Sequence, residues 1–286
     1  MDANDIKNYG GAIMVKENQI KEPIYSRNGN FAVFNQLGVK LDFSNSTKDE
    51  EYYEWLDKAI KNIGQLIPGA EIAEKDGIRI GTRLNTGVYY DTDDYRLLNK
   101  GMVLRTTCDV KTHAFCAFKL DETEQKVRRD HRYVFEGEAK RTIQNSPTSP
   151  KAIAFVKELL ARKDIEHPGT QLKELTGIVG EDLSPAICIE QHRHPFFVWI
   201  DKRDALRCSM DRVSVYNMRL PLEKREKFMF SEIEIPIYPH VDDDMVNDPR
   251  LHKLIEILSN SLKEQFNLNL ITDSKYQRAA KLLKLL

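Results

Sequence analysis

The stretch Phe230-Ser231-Glu232-Ile233-Glu234-Ile235-Pro236 alternates acidic side chains with apolar ones. Successive side chains of a β-strand point to opposite faces, so Glu232 and Glu234 share one face while Ile233 and Ile235 share the other. The two carboxylates then lie about 7 Å apart and repel each other. A metal ion or basic side chains offset that repulsion best. The stretch therefore predicts a strand with one apolar, buried face and one acidic face, and the simplest alternative is that the acidic face is only solvated.

The same division into an apolar face and a charged face recurs in other predicted strands. These are Met102 to Thr107, Ala114 to Leu120, Arg132 to Lys140, Ala186 to His194 and Ala205 to Val213. Their charged faces carry Arg105, Lys119, Arg132 with Glu136 and Glu138, Arg193, and Arg207 with Asp211. Arginine suits bidentate phosphate contacts, and carboxylates at i and i+2 suit Mg²⁺ or Mn²⁺. We therefore predict an antiparallel sheet closed into a barrel, with helices on its apolar outer face and a charged lumen for a polyanion and its metal.

Composition limits the classes of protein to consider. The 286 residues carry 43 basic and 44 acidic side chains, for a formal net charge of -1, which argues against an electrostatic grip on nucleic acid by the whole surface. No apolar run is long enough to span a membrane and no signal peptide is evident, so we predict a cytoplasmic protein with no membrane partner. We expect a variable leader over residues 1–30 and one domain over 31–286, with a helical insertion at about 147–182.

The most specific motif is YYDTDDYRLLNKGMVLR, residues 89–105. It resembles the Y-[YF]-D-T-x-D-x-x-L-x-x-x-G-x-x-L-R signature of the CYTH family, also called triphosphate tunnel metalloenzymes. The later landmarks follow in that family's order: Lys119, Glu136 and Glu138, Leu183 and Pro185, Arg193, Arg207 and Asp211, Glu232 and Glu234, and Ser274-Lys275-Tyr276. The resemblance covers about residues 31–286, and residues 183–211 also resemble the polyphosphate-polymerase branch.

This resemblance implies an α+β fold built on a closed antiparallel eight-stranded tunnel. It implies that the tunnel binds a small triphosphate or polyphosphate with Mg²⁺ or Mn²⁺. The implied phosphate contacts are Arg105, Lys119, Arg193, Arg207 and Lys275, to which the strand pattern adds Arg132. The implied metal ligands are Glu136, Glu138, Glu232 and Glu234, and the catalytic set is Glu232, Glu234 and Asp211, with Asp211 either holding metal or orienting the attacking water. These roles agree with phosphoryl transfer, which depends on positioning and charge neutralisation.

One strand and one further residue depart from the family pattern. Its first strand reads Glu-x-Glu-x-Lys, whereas Val39-Lys40-Leu41-Asp42-Phe43 has one acid, and Thr107 stands where a second arginine is usual. Three hypotheses therefore stay open: a triphosphatase acting on a nucleoside, thiamine or inorganic triphosphate, a non-catalytic nucleotide-binding or polyphosphate-binding module, and a nucleotide cyclase of the class IV adenylate cyclase type. An RNA 5′-triphosphate end is a less favoured substrate, and the sequence does not indicate an oligomeric state.

Overall fold

The computed structural model describes residues 25–28, 30–36, 38–44, 49–73, 82–120, 128–238 and 241–286, so most of the predicted leader lies outside it. The strands are Tyr25–Asn28 (β1), Phe31–Gln36 (β2), Gly38–Asp42 (β3), Ala70–Ala73 (β4), Arg83–Asp91 (β5), Val103–Asp109 (β6), Ala114–Lys119 (β7), Arg128–Val134 (β8), Ser184–Ile200 (β9), Arg203–Asn217 (β10) and Phe228–Pro236 (β11). The helices are Asp49–Leu66 (α1), Arg96–Asn99 (α2), Gly137–Asn145 (α3), Pro150–Ala161 (α4), Pro168–Thr176 (α5), Asp243–Val246 (α6), Pro249–Phe266 (α7) and Lys275–Leu282 (α8). Single 3₁₀ turns lie at Gly180–Asp182 and Leu222–Lys224.

The strands form one antiparallel sheet, which together with the helices confirms the predicted α+β class. The strand order is β1-β2-β8-β7-β6-β5-β9-β10-β11-β3, and β4 pairs with the far end of β9. Although β2 and β3 are almost consecutive in the chain, β2 pairs with β8 and β3 pairs with β11, at opposite ends of this order. The second edge of β3 contacts residues 269–271, with an isolated bridge between Leu41 and Leu270. The strand pairing therefore establishes a continuous sheet but does not show a closed ring.

One face of the sheet, which we call the outer face, is apolar and covered by helices. On β11 the side chains of Ile233 and Ile235 are fully buried there, as the alternation in the sequence predicts. They share a core with one side of α1 and one side of α7. Helix α7 begins with Pro249 after the capping residue Asp248, and its apolar residues recur every three or four positions, which places them on one side of the helix. A second core lies under α3, α4 and α5, over the outer face of β5, β6 and β7.

The opposite face, which we call the inner face, carries most of the predicted site residues. Its members follow from register: Asp211 pairs with Arg193 on β9 and with Glu232 on β11, while Arg105 pairs with Tyr89 on β5. One end of this face is apolar rather than charged, because α8 packs there. The residues in that contact are Tyr89, Ile187, Ile189, Val213, Phe230, Tyr276, Ala279 and Ala280. Helix α8 therefore covers the apolar end of the inner face and leaves the charged part beside its N-terminus.

The predicted strand from Arg132 to Lys140 is wrong over its second half. Strand β8 ends at Val134, and α3 begins at Gly137, whose φ of 56° lies in the left-handed region that glycine adopts most easily. The helix buries Ile143 in the core under α3, α4 and α5, which a continued strand could not do. Here tertiary packing prevails over the alternation of charged and uncharged residues that the sequence shows.

Candidate functional site

Three carboxylates meet on the inner face of β10 and β11. Asp211 lies opposite Glu232, and Glu234 lies opposite Ser209, so strand register brings the acids together. One oxygen from each of Asp211, Glu232 and Glu234 lies within 4.8 Å of the others. Asp211 and Glu232 are fully buried, whereas 18% of the Glu234 side chain is exposed. We call these three residues the acidic triad.

The ammonium group of Lys275 lies among the three carboxylates. Its Nζ is 3.0 Å from Asp211, 2.6 Å from Glu232 and 2.8 Å from Glu234. Burial by itself would lower the pKa of Lys275, but the carboxylates of Glu232, Glu234 and Asp211 outweigh burial and raise that pKa far above its usual range. Lys275 therefore stays charged and neutralises part of the triad.

Two arginines complete the neutralisation of the triad. Arg193 donates from Nε to Asp211 at 2.9 Å and from Nη2 to Glu234 at 3.1 Å. Arg278 donates to Glu232 at 2.8 Å. Burial opposes ionisation of Glu234, yet Lys275 and Arg193 hold the pKa of its carboxyl well below the usual range. Three cations thus contact three carboxylates, and the triad is close to neutral as a group.

The position of Lys275 depends on how α8 is anchored. Ser274 caps the helix by accepting a hydrogen bond from the backbone N–H of Gln277, whose side chain accepts from the N–H of Ser274. The Tyr276 hydroxyl donates to Asp91 at 2.8 Å, and its ring stacks on Tyr89 with centroids 5.1 Å apart. The Tyr-Asp-Thr motif therefore holds the helix that delivers Lys275, a structural role that the sequence did not reveal.

A second charged group, which we call the basic cluster, is formed by Arg105, Lys119 and Arg132 around the fully buried Asp130. Lys119 Nζ lies 3.4 Å from the Asp130 carboxylate, and Arg132 donates to the same carboxylate at 2.6 and 2.8 Å. Arg105 donates to the Tyr89 hydroxyl at 3.0 Å. Asp130 was not predicted as a site residue, because it lies within a run of basic residues. The signal that could have found it is that Asp130 shares a strand face with Arg132.

Electrostatics distinguishes Lys119 from the arginines around it. Burial, and then the charges of Arg105 and Arg132, lower the pKa of Lys119 to about 7, against the opposing pull of Asp130 and Glu234. The carboxylate of Glu234 also acts on Arg105, so the basic cluster and the acidic triad lie within electrostatic range of each other. The charges of the basic cluster and of the acidic triad therefore influence each other across the inner face.

Arg207 adds further positive charge to the inner face. It lies on the inner face of β10, and burial followed by repulsion from Arg193 and Arg132 lowers its pKa to about 10. Arg83, which also repels it, lies opposite Arg193 in the β5–β9 pairing. Among the residues that the structure describes, neither Arg207 nor Arg83 forms an ion pair. Arg83 was not predicted as a site residue, because it lies at the start of β5, before the Tyr-Asp-Thr motif.

Glu136 and Glu138, predicted as metal ligands on a strand, are not brought to the triad. Both are exposed at the start of α3, and Glu138 forms an ion pair with Lys151 at 2.6 Å. The physical reason is the helix itself, which turns these side chains to solvent instead of continuing the inner face of β8.

The strand read as the divergent first strand does lie beside the acidic strand. In the β3–β11 pairing Asp42 is opposite Glu232 and Lys40 is opposite Glu234. Arg278 bridges Asp42 at 2.9 Å and Glu232 at 2.8 Å. The sequence did not single out Arg278, although it follows Lys275 by three positions and therefore projects from the same side of α8.

Comparisons with known proteins found similar solved structures at low sequence identity. No protein-family model and no curated protein matches the sequence. A solved structure of a candidate adenylate cyclase from Bacillus halodurans is similar with a TM-score of 0.48 and 13% identity, covering 85% of this chain and 97% of that chain. A candidate adenylyl cyclase from Hippeastrum, described as having a dominant triphosphatase activity, has a TM-score of 0.47 and 13% identity over 86% of this chain and 95% of its own. The mimivirus capping enzyme triphosphatase has a TM-score of 0.33 and 10% identity over 92% of this chain and 97% of its own.

The described residues contain no helix that is long and apolar enough to cross a membrane.

Proposed function

We propose that this protein binds a triphosphate on its inner face and hydrolyses it with the help of a divalent cation. One observation carries the proposal: an acidic triad with two fully buried members lies within electrostatic range of a partly buried basic cluster, and all of these side chains project from one face of one sheet. Burying so many charges is costly and contributes little to stability by itself, so a binding role accounts for them better than a structural one.

The basic residues of this face suit a chain of phosphate groups. The proposed phosphate contacts are Arg105, Lys119, Arg132, Arg193, Arg207 and Lys275. A guanidinium group matches two phosphate oxygens at once, and Arg207 lacks a carboxylate partner among the described residues, so it is available to an anion. Lys119 and Arg132 both contact the Asp130 carboxylate, which holds their charged groups close together on the inner face.

The acidic triad supplies ligands of the kind that Mg²⁺ and Mn²⁺ prefer. Its oxygens are hard donors within 4.8 Å of one another, so Asp211, Glu232 and Glu234 would hold the ion. A bound ion would neutralise negative charge on the phosphate oxygens. Asp211 has a second proposed role, in which its buried carboxylate orients the attacking water. Glu136 and Glu138 have no part in this proposal.

We further propose that the inner face is the wall of a closed eight-stranded tunnel. Seven strands run in order from β8 through β7, β6, β5, β9 and β10 to β11. The eighth is the nearly continuous segment of β2 and β3, which pairs with β8 at one end and with β11 at the other. This connection supports closure, because it joins both edges of the seven strands through one stretch of chain.

A phosphate-release panel tests the proposed activity. The substrates are inorganic triphosphate, ATP, GTP, thiamine triphosphate, RNA 5′-triphosphate and long polyphosphate, each with Mg²⁺, with Mn²⁺ and with a chelator. We expect metal-dependent release of phosphate from at least one short triphosphate. No release from any substrate would contradict hydrolysis, and a cyclic nucleotide product would assign a cyclase instead.

A second candidate function is binding without turnover. Two observations favour it: Lys275 already neutralises the triad, and β3 offers Lys40 and Asp42 where a pair of acids would strengthen metal binding. Calorimetry with inorganic triphosphate separates the two functions, because heat of binding with no phosphate release in the panel would decide for the binding module.

Anion binding is expected to weaken as pH rises through about 7, where Lys119 loses its proton. A bound anion stabilises the charged ammonium and raises its pKa, so above that pH binding must take up a proton. Calorimetric titration of inorganic triphosphate without metal, between about pH 6 and pH 9, measures this change in affinity.

The arginine variant K119R separates this effect from titration of the ligand, because arginine stays charged across the whole range. Its affinity should fall less with pH than that of the natural protein, while K151R, at an exposed position, should behave like the natural protein. An equal fall in K119R and the natural protein would show that Lys119 is not the titrating group.

A further inference from the structure

The place that a divalent cation would take among the acidic triad is filled by a side chain of the protein. The Nζ of Lys275 lies no more than 3.0 Å from an oxygen of each carboxylate. A divalent ion binds carboxylate oxygens at about 2.0–2.6 Å. An ion at that distance from the same oxygens would overlap the ammonium group and repel its charge. Metal and ammonium therefore exclude each other.

Lys275 is held in this place by more than its charge. Only 8% of the residue is exposed, so the ammonium cannot exchange its carboxylate contacts for water without moving. The backbone at Lys275 is fixed by the Ser274 cap and by the contact of Tyr276 with Asp91. The ammonium group can therefore leave the triad only by a change in the conformation of its flexible four-carbon side chain.

The arginines that contact the triad weaken its electrostatic attraction for a metal ion. Arg193 and Arg278 contact the same carboxylates from other sides, so the triad with Lys275 in place carries almost no net negative charge. Removal of the ammonium would restore one full negative charge within about 3 Å of the place that a metal would take.

We propose that Lys275 is an internal competitor for the divalent cation, which must displace this ammonium from the acidic triad in order to bind. The proposal deepens the proposed function and rests on it for the identity of the metal, but the competition is a property of the free protein. Lys275 then opposes metal binding in the free protein, in addition to its proposed contact with phosphate.

Binding of Mn²⁺ alone, followed by electron paramagnetic resonance and by calorimetry without any phosphate, tests the proposal. The neutral variants K275M and K275Q should bind Mn²⁺ about tenfold or more tightly than the natural protein, because an ammonium close to the ion no longer opposes it. The charge-retaining variant K275R should show no such gain. The matched control K281M removes an exposed lysine from the same helix, where Lys281 pairs with Asp273, and should bind Mn²⁺ like the natural protein.

Equal Mn²⁺ affinity in the natural protein, K275M and K275Q would overturn the proposal. If the neutral variants are unfolded without metal, because three carboxylates are left facing one another, millimolar Mn²⁺ should restore their folded circular dichroism spectra, and unfolding that ignores Mn²⁺ would equally overturn it. Because no substrate is present, these results stand apart from the phosphate-release panel: a protein that hydrolyses nothing could still show the competition, and an active enzyme could lack it.

Discussion

Replacing Glu232 and Glu234 with glutamine is expected to lower divalent-cation-dependent release of phosphate by about a hundredfold or more. The two carboxylates supply most of the negative charge of the acidic triad, and glutamine keeps their shape while removing their charge. Initial rates of phosphate release at saturating Mg²⁺ and Mn²⁺, on the best substrate of the panel, give the measurement. The single variant E234Q should retain more activity than the double variant, because Asp211 and Glu232 still offer two ligands.

The folded state needs its own control in this experiment. Glu232 is fully buried between Lys275 and Arg278, so its replacement leaves excess positive charge and should lower the unfolding temperature. Rates are therefore compared at a temperature where circular dichroism shows the variants folded. E190Q is the matched control, because Glu190 pairs with Lys227 away from the triad. Full activity in the folded double variant would contradict the assignment of the metal site.

Replacing Asp130 with asparagine is expected to destabilise the protein by about 3–5 kcal/mol, the cost of breaking a buried ion pair by removing one partner. Asp130 is fully buried and is the carboxylate that Lys119 and Arg132 share, with Arg105 also within its electrostatic range. Without its charge, three cations face one another on adjacent strands. Urea denaturation of D130N and the natural protein near neutral pH measures the difference in the free energy of unfolding.

The pH dependence of this loss identifies its cause. The folded-state pKa of Lys119 already lies at about 7, below its unfolded value, so without Asp130 the ammonium gives up its proton more readily. The destabilisation should therefore be smaller at pH 9 than at pH 6. Sulfate or phosphate should stabilise D130N more than the natural protein, since an anion replaces the missing carboxylate.

The control variant is E138Q, which changes the exposed pair with Lys151 and should leave the unfolding midpoint unchanged. If the loss of stability in D130N is independent of pH and of anions, packing and not charge is its cause.

The alternation of residues along single strands could be predicted from the sequence. The pleat of a strand sends successive side chains to opposite faces whatever lies around it. For this reason Ile233 and Ile235 were correctly predicted to be buried opposite Glu232 and Glu234. The same rule placed Arg207 and Asp211 on one face of β10, whereas the ion pair of Asp211 with Arg193 depends on the pairing of β10 with β9.

The end of a strand could not be predicted in the same way. The alternation from Arg132 continues through Glu136 and Glu138, with Val134 as the one apolar residue on that face, yet the strand stops at Val134. The strand stops because Gly137 adopts a left-handed backbone conformation and because a helix buries Ile143 in the core, which stabilises the fold. That gain depends on α4 and α5, which are far along the chain, so local pattern alone favoured the wrong element.

The sequence by itself determined which residues of this protein share a strand face, and it indicated basic and acidic side chains that suit a polyanion and its metal. Only the tertiary structure decided which of these charges meet. It brought Asp130 between Lys119 and Arg132, left Glu136 and Glu138 in solvent, and placed Lys275 within the acidic triad. The physical reason is that side-chain alternation is a property of the local backbone, whereas contacts between strands and with α8 depend on register and on where that helix docks. Glu232 and Glu234 thus lie on the predicted face, but their nearest cation is one that only the packing of α8 could bring there.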